Sequence, residues 1–314
     1  TVQEKVIFCV TRNADVNADD EIFADGSDFR KRMKKVLNQR KRLAPVRLEL
    51  SSSISDKFTE YFMDKLGISR AQIYITTSPM QMGYVYGLTA KIPRSKQGAL
   101  TYTKFTPVWP SNVRQGESIL KQVERRDILL SYPFESMDPF LEMIKEAATD
   151  PQVISIKITI YRLASHAKLV EYLCSAAENG KEVVAIVELR ARFDEQNNID
   201  FSKQLEEAGC TVIYGFEAYK IHSKLTLITK KKGNQLHYIA QIGTGNYNEK
   251  TSEQYTDLSF ITTDLGIGSE LATVFNNLAI ERLTEHAGNL LVAPLCFKSV
   301  LMQEMDAEIE AKRM

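Results

Sequence analysis

The run Val153-Ile-Ser-Ile-Lys-Ile-Thr-Ile-Tyr161 is followed, after one helical pattern, by a second run of the same kind, Glu182-Val-Val-Ala-Ile-Val-Glu-Leu189. Both runs are rich in apolar and β-branched residues, which favour strands in a covered sheet. Residues 166–179 between them have the apolar spacing of an amphipathic helix. Strand, helix and strand in succession favour parallel pairing with the helix packed on the sheet. We therefore predict an α/β domain around these residues.

The same alternation extends outward on both sides of this stretch. We predict further helices at residues 139–149 and 199–208, and further strands at 128–130, 211–214, 225–229, 236–242 and 257–261. The last three strands are joined by short connections, and Lys230-Lys-Lys-Gly233 is interpreted as a hairpin turn. The predicted fold is a mixed, largely parallel sheet of about seven strands, flanked by helices.

The amino-terminal part of the chain has a different pattern. Strands are predicted at residues 6–10, 46–50 and 72–76 and helices at 28–43 and 56–66, which together form a small α+β domain. The helix at 28–43 has a strongly basic outer face, for which a solvated surface is favoured and the lining of a polyanion channel is the alternative. Residues 91–110 are rich in Pro, Gly and Lys, which indicates a linker or an ordered functional loop.

The composition is ordinary for a globular protein, with 314 residues of which 44% are hydrophobic and 25% charged. Because 40 Lys and Arg balance 40 Asp and Glu, net charge predicts no affinity for nucleic acid or membranes. The widely spaced cysteines are typical of reduced thiols, and no run reaches transmembrane length. The chain has no start methionine and no signal peptide, begins on a predicted strand and ends in a helix-like stretch at 302–314. We expect it to be a piece of a longer protein.

The run Tyr219-Lys-Ile-His-Ser-Lys-Leu225 contains the first candidate for chemistry, because His222 and Lys224 stand two residues apart. In an extended strand alternate side chains share a face, so the imidazole and the ammonium would point at one phosphorus centre. The imidazole would attack while the ammonium neutralises phosphoryl oxygens. This two-residue pattern is weak evidence by itself, and the neighbouring motifs must support it.

Three arginines follow the ends of two predicted strands. Arg162 closes the first strand, and Arg190 and Arg192 follow the second. Ligands of such sheets bind at the carboxyl ends of the strands, and Arg binds phosphate through two parallel hydrogen bonds. We predict a phosphate-binding rim here. The alternative is that Arg192 only pairs with Asp194 or Glu195 and that Arg162 is merely exposed.

The turn Gly243-Thr-Gly-Asn246 directly follows another predicted strand. Gly243 and Gly245 would let backbone amides approach an anion, and Asn246 would orient a neighbour by hydrogen bonding. A plain strand-ending turn is the alternative. The other histidines are weaker candidates: His166 is expected to begin a helix, His237 to lie in a strand and His286 in a polar connection. The sequence contains no P-loop motif for a nucleotide.

Several segments together resemble the core of the bacterial polyphosphate kinases, which belong to the phospholipase D-like superfamily. They are Arg126-Asp-Ile-Leu-Leu-Ser-Tyr-Pro133, Ile158-Thr-Ile-Tyr-Arg162, Val187-Glu-Leu-Arg-Ala-Arg-Phe-Asp-Glu195, Lys220-Ile-His-Ser-Lys224, Ile242-Gly-Thr-Gly-Asn-Tyr-Asn-Glu-Lys-Thr251 and Tyr255-Thr-Asp257. The resemblance implies a phospholipase D-like fold. It also implies part of a head domain at 1–108, a connection at 109–126, a first catalytic domain at 127–289 and the start of a second at 290–314.

The resemblance also implies roles for individual residues. His222 matches the histidine that becomes phosphorylated, with Lys224 and Asn246 beside it in the catalytic site, and Gly243 and Gly245 binding phosphate. Arg162 and Arg192 match positions of a magnesium–phosphate site. Because Arg has no free lone pair for a cation, we expect both to bind phosphate oxygens that in turn hold Mg²⁺. Tyr255 matches a position that contacts ATP.

Two departures from the wider patterns bear on the chemistry. Thr229 stands where phospholipase D-like phosphodiesterases have Asp, and the kinase branch lacks this Asp too. Gln241 stands where some polyphosphate kinases have histidine. Two alternatives to the kinase remain, a phosphodiesterase or nuclease half-site and a non-catalytic polyanion-binding module.

The resemblance implies an ATP:polyphosphate phosphotransferase whose substrates are ATP or ADP and inorganic polyphosphate, with Mg²⁺ as cofactor. It further implies a cytoplasmic protein with peripheral membrane association, a homo-oligomer at full length and no nucleic-acid partner. We expect the 314-residue chain alone to have little or no turnover, because a second catalytic half is absent from it.

Overall fold

A computed structural model describes residues 2–13, 43–163, 167–188, 195–215, 219–285 and 288–313. The chain divides into two compact units, Thr1–Phe105 and Thr106–Met314. The predicted helix at 28–43 lies outside the described residues.

The first unit is built on a three-stranded sheet with the order β1-β2-β3. Its strands are β1 (Phe8–Arg12), β2 (Pro45–Leu50) and β3 (Ile73–Ile75), with β1 antiparallel and β3 parallel to β2. Helix α1 (Asp56–Leu66) begins at Ser55, whose side chain accepts the amide of Phe58. The small core contains Leu48, Leu50, Phe62 and Ile68. The short helices α2 (Leu88–Lys91) and α3 (Arg94–Leu100) follow.

The second unit contains a seven-stranded sheet with the order β4-β10-β9-β8-β5-β6-β7. The strands are β4 (Ile128–Tyr132), β5 (Val153–Ile160), β6 (Glu182–Val187), β7 (Thr211–Tyr214), β8 (Lys224–Lys232), β9 (Gln235–Gly243) and β10 (Asp257–Thr262). The helices are α4 (Ile119–Val123), α5 (Asp138–Thr149), α6 (Lys168–Glu178), α7 (Glu195–Glu207), α8 (Glu249–Ser252), α9 (Leu265–Ala279) and α10 (Phe297–Arg313). The predicted mixed α/β class is confirmed.

The prediction that this sheet is largely parallel is wrong. Only β5–β6 and β6–β7 are parallel, and the other four neighbouring pairs are antiparallel. Parallel neighbours need a long crossover, which α6 and α7 provide between β5, β6 and β7. The hairpin from β8 to β9 turns at Gly233 and Asn234, so the chain returns antiparallel. Lys230 is therefore a buried strand residue, and the predicted turn at 230–233 is too long.

The apolar runs that predicted the sheet form its core. In β5 six of eight residues are buried. On one side of the sheet, Val184, Ile186, Leu227 and Ala240 belong to one cluster with Leu271, Val274 and Phe275 of α9. Burial of such side chains stabilises the fold by about 2 kcal/mol each. No described helix is long and apolar enough to cross a membrane.

Strand directions bring four chain segments to one edge of the sheet. β5 and β6 are parallel and end there, at Ile160 and Val187. β8 is antiparallel to β5 and begins at the same edge with Lys224. β9 ends there as well, because its last residue, Gly243, pairs with Lys224. This edge is where the candidate site lies.

Candidate functional site

His222 and Lys224 lie together at this edge of the sheet, and only Lys224 belongs to a strand. The strand begins only at Lys224, and His222 precedes it as an exposed residue. Lys224 is 4% exposed. Its Nζ lies 3.2 Å from Nδ1 of His222 and also donates to the His222 carbonyl. The ammonium thus contacts both the ring and the backbone of His222.

Side chains from other strands, and from the residue after β6, hydrogen-bond to the backbone on both sides of His222. The buried hydroxyl of Thr159 donates to the carbonyl of Ser223 at 2.8 Å and accepts the amide of Leu225 at 3.0 Å. The Thr159 hydroxyl thus bonds the backbone on both sides of Lys224. On the other flank, Oε2 of Glu188 accepts the amide of Ile221 at 3.0 Å. The segment that presents His222 is thus held on both sides.

The ring of Tyr161 lies at the centre of the site. Its centroid is 4.7 Å from that of His222, and the two planes meet edge to face at 78°. Two cations lie near the same ring, with Cζ of Arg162 at 5.5 Å and Nζ of Lys224 at 5.3 Å from its centroid. The structure therefore brings Arg162 into the site, as predicted from the strand end. Arg190 and Arg192 lie outside the described residues.

Burial and positive charge alter the proton affinities of the pair. Packing removes part of the imidazole from water, and this burial, followed by the charges of Lys224, Lys220 and Arg162, lowers the pKa of His222. Burial lowers the pKa of Lys224 to about 8, with Asp257 opposing and Arg162 adding to the shift. The site thus favours a neutral imidazole beside a lysine that still carries charge at neutral pH.

The Gly243–Asn246 turn lies next to Lys224, as its place after β9 requires. A Cβ on Gly245 would lie 2.6 Å from Cγ of Asp257, so this position needs glycine for close packing. Oγ1 of Thr244 donates to Oδ1 of Asp257 at 2.7 Å, which ties the turn to the start of β10. Oδ1 of Asn246 is buried and has no hydrogen-bond partner. Its predicted orienting role is therefore still a prediction.

Tyr255 lies between α8 and β10, two residues before Asp257, and is 62% exposed. Its exposure leaves the phenol ring accessible to a ligand, but its role in binding ATP is still a prediction. Of the other histidines, His237 lies in β9 as predicted, and it pairs with Lys230 toward the opposite end of β8. His166 and His286 lie outside the described residues.

Gln241, where some polyphosphate kinases have histidine, is buried in a polar chain beneath the site. Its Nε2 donates to Oγ of Ser259 at 2.9 Å, and its Oε1 accepts the hydroxyl of Tyr247. The hydroxyl of Thr226 lies 3.1 Å from that of Tyr247. An amide supplies both a donor and an acceptor here, so the position is satisfied without an imidazole.

Sequence reasoning missed four residues that shape the site: Thr159, Tyr161, Glu188 and Asp257. All four lie within the segments quoted above for the family resemblance, which was the signal that could have found them. Glu188 had a second signal, since a charged residue inside an apolar strand run is expensive to bury unless it is hydrogen-bonded. Their roles come from partners on other strands.

The described residues do not form a resident metal site. Among them, no three His, Cys, Asp or Glu side chains are grouped so that they could hold an ion. Arg162, which lies in the site, cannot ligate a cation because guanidinium has no free lone pair. The donor set therefore fits an anion better than it fits Mg²⁺.

Two family models match the chain. The model described as "Polyphosphate kinase middle domain" matches residues 1–88, and "Polyphosphate kinase C-terminal domain 1" matches residues 118–284. The second match contains the whole site at the sheet edge.

Whole-chain comparisons give the same family. A polyphosphate kinase of Staphylococcus epidermidis is 38% identical over 306 residues, which are 97% of this chain and 41% of the relative. One of Pseudomonas aeruginosa is 35% identical over 301 residues, 96% of this chain and 43% of the relative. The crystal structure of polyphosphate kinase from Porphyromonas gingivalis superposes with a TM-score of 0.71 at 26% identity, covering 86% of this chain and 41% of that one. The chain thus spans about two fifths of the length of these relatives.

Proposed function

This chain belongs to the polyphosphate kinase family, and from that premise we propose that it supplies one wall of a site for reversible phosphoryl transfer between ATP and inorganic polyphosphate. The phosphoryl group is carried on His222. The observation that carries this proposal is the contact between the exposed imidazole of His222 and the buried ammonium of Lys224, 3.2 Å apart. A nucleophile beside a fixed positive charge is the minimum that such a transfer needs.

The neutral imidazole has one nitrogen lone pair that can form a bond to the terminal phosphorus of ATP, while the bond from phosphorus to the ADP oxygen breaks. The imidazole then releases its remaining proton. In the second step an oxygen at the end of the polyphosphate chain attacks the same phosphorus, the N–P bond breaks, and the ring takes a proton back from solvent, which restores the neutral imidazole. Because His222 has a lowered pKa, the lone pair is available at neutral pH.

Lys224 and Arg162 act through charge and position. In the free protein Lys224 Nζ is engaged with Nδ1 of His222. A bound phosphate has several anionic oxygens and is a stronger acceptor than an imidazole, so it would draw the ammonium to itself and release the ring nitrogen. Arg162 would hold other oxygens of the same group. The loose transition state leaves little further covalent work for the protein.

Mg²⁺ enters this proposal only with the substrate. The described residues contain no fitting set of ligands, whereas the phosphates of a nucleotide bind Mg²⁺ readily. Arg162 and Arg192 would then act on phosphate oxygens and not on the ion. Tyr255 is kept as a contact for ATP. Self-association, cytoplasmic location and membrane contact stay expectations from the family resemblance.

The test is covalent labelling. Two proteins would be incubated with ATP labelled in its terminal phosphate: the 314-residue chain, and the longest form of the protein that its host makes. The acid-labile, base-stable label bound to each protein would then be counted. We expect label in the longer form, none after His222→Ala, and normal labelling after His237→Ala, the matched control. Equal label in wild type and His222→Ala would refute the phosphohistidine. Robust polyphosphate synthesis by the 314 residues alone would refute the half-site.

The same samples separate the alternatives. A phosphodiesterase would hydrolyse bis(p-nitrophenyl) phosphate in a manner that depends on His222, and a polyanion-binding module would bind polyphosphate without any label. Neither alternative is favoured by a particular contact in the site. Thr229 pairs with Tyr238 inside the hairpin, where the diesterase pattern would have Asp.

A further inference from the structure

Among the described residues of the site, the ring of Tyr161 lies next to all three groups of the proposed chemistry, those of His222, Lys224 and Arg162. The imidazole of His222 meets it edge to face at 4.7 Å, and the cations of Arg162 and Lys224 lie 5.5 and 5.3 Å from its centroid. No role has been given to this residue so far, and its neighbours are the groups that the proposed transfer depends on.

The backbone of Tyr161 is held independently of those neighbours. Nδ2 of the fully buried Asn198 donates to the carbonyl of Tyr161 at 2.9 Å and to that of Glu188 at 2.8 Å. Asn198 thus joins the residues that directly follow β5 and β6. Tyr161 lies one residue beyond the end of β5, and this hydrogen bond fixes its carbonyl without involving His222, Lys224 or Arg162.

An aromatic ring suits this position for electrostatic reasons. Lys224 and Arg162 repel each other, and each lowers the pKa of His222. The face of an aromatic ring carries negative potential and attracts cations, most strongly where water is excluded, as it is around Lys224. An aliphatic side chain of similar volume would fill the space but would give neither cation a partner, nor an edge-to-face contact to the imidazole.

We propose that Tyr161 is a positioning residue, whose ring orients the imidazole of His222 and keeps the cations of Lys224 and Arg162 within reach of one phosphate group. This proposal rests on the proposed function for its phosphate ligand, but its structural part does not need catalysis. The ring is required, and the hydroxyl is not.

The first test measures the imidazole itself, in the 314-residue chain. The His222 signals would be assigned by their loss in His222→Ala and followed by NMR against pH in wild type, Tyr161→Phe and Tyr161→Leu. We expect Tyr161→Phe to preserve the ring-current shift and the pKa of His222. Tyr161→Leu should abolish that shift and let the pKa of His222 rise, because water enters and the cations Lys224 and Arg162 are less closely held, while the charge of Lys220 stays in place. Unchanged His237 signals would show that the fold is intact.

The second test measures transfer in the longest natural form. Labelling of His222 should slow on the order of tenfold in Tyr161→Leu and change less than about twofold in Tyr161→Phe, with a smaller change in KM for ATP than in kcat. The proposal is overturned if the His222 signals of Tyr161→Leu match wild type, or if Tyr161→Phe is as damaged as Tyr161→Leu. Absence of label on wild-type His222, with the NMR differences present, would refute the proposed function and support the positioning role.

Discussion

The ring of His222 lies against Tyr161 and beside Lys224, although the residue is exposed. At the level of single residues, the proposed transfer depends on whether His222 and Lys224 are protonated. Below its lowered pKa the imidazole is protonated and has no lone pair to attack with. Above about pH 8 the buried Lys224 loses its charge and attracts phosphate less. The useful range lies between these two titrations.

A bell-shaped pH profile follows for labelling of His222 under single-turnover conditions. The acidic limb should lie below the ordinary range of histidine, because burial and nearby cations lower the pKa of His222. The alkaline limb should fall through about pH 8 as Lys224 deprotonates. Lys224→Gln should be slow throughout and should lack the alkaline limb. A wild-type rate that stays constant from pH 7 to 10 would contradict the role of Lys224.

Gly245→Ala tests the close packing of the turn. The added Cβ would lie 2.6 Å from Asp257, so the turn must shift, and we expect a loss of about 1–3 kcal/mol in the free energy of unfolding together with slower labelling. Gly98→Ala, where nothing lies within 4 Å of an added Cβ in α3, is the matched control. It should be neutral or stabilise by up to about 1 kcal/mol. Urea unfolding of both variants measures the difference.

At the level of secondary-structure elements, β8 has the candidate site at its first residue and a buried group of ion pairs near its other end. Lys224 begins the strand at the site. Near the other end Lys230, also 4% exposed, donates to Glu124 and Asp150, each at 3.0 Å. Burial would raise the pKa of each carboxyl. Hydrogen bonds from Lys232 and Lys230 nevertheless hold the pKa of Glu124 below its ordinary range, and those from the Gln152 amide and Lys230 do the same for the pKa of Asp150. These pairs tie β8 to the segment after α4 and to the start of β5.

Removing the buried charge should destabilise the second unit. Lys230→Met removes the ion pairs to Glu124 and Asp150, and we expect a loss of about 3 kcal/mol. This is at the low end for buried pairs, because Glu124 keeps its pair with Lys232 and both carboxyls keep some contact with water. Lys231 is the next residue in β8 and its side chain is exposed, so Lys231→Met should change the free energy of unfolding by less than about 0.5 kcal/mol. Thermal unfolding at pH 7 compares them. Equal stability of the two variants would contradict the structural role of Lys230.

The acid dependence of the same variants has a definite sign. Because the folded pKa values of Glu124 and Asp150 are depressed, their pairing stabilises the protein above the ordinary carboxyl range and is lost as pH falls through the folded values. The stability gap between wild type and Lys230→Met should therefore narrow on acidification. A gap that widens at low pH would show that the ion pairs are not its cause.

At the scale of the whole molecule, the two units each have a core and a sheet of their own. We therefore expect residues 106–314, expressed alone, to unfold in one cooperative transition and to keep the NMR signals of His222. Circular dichroism and the same pH titration would show this. Gradual unfolding, or His222 signals typical of an unfolded chain, would contradict the independence of the second unit.

Local patterns predicted most elements because they depend on neighbours along the chain. The apolar runs at 153–161 and 182–189 predicted β5 and β6, and the helix predicted at 56–66 has the bounds of α1. Strand direction was predicted less well. The largely parallel interpretation came from the strand–helix alternation of the earlier strands, whereas β8 and β9 are joined by a two-residue turn that requires antiparallel pairing. β10 is also antiparallel to β9, although residues 244–256, which include α8, connect them.

The sequence by itself determined the α/β class, the family, and the residues His222, Lys224 and Arg162 as candidates, because periodicity and motif spacing are written along one chain. Only the tertiary structure decided that His222 lies before its strand and that the ammonium of Lys224 contacts it. The same holds for the residues that surround this pair, namely Tyr161, Thr159, Glu188 and Asp257. Those roles depend on contacts between residues up to 66 positions apart in the sequence. The burial that lowers both pKa values likewise exists only once these strands share one edge.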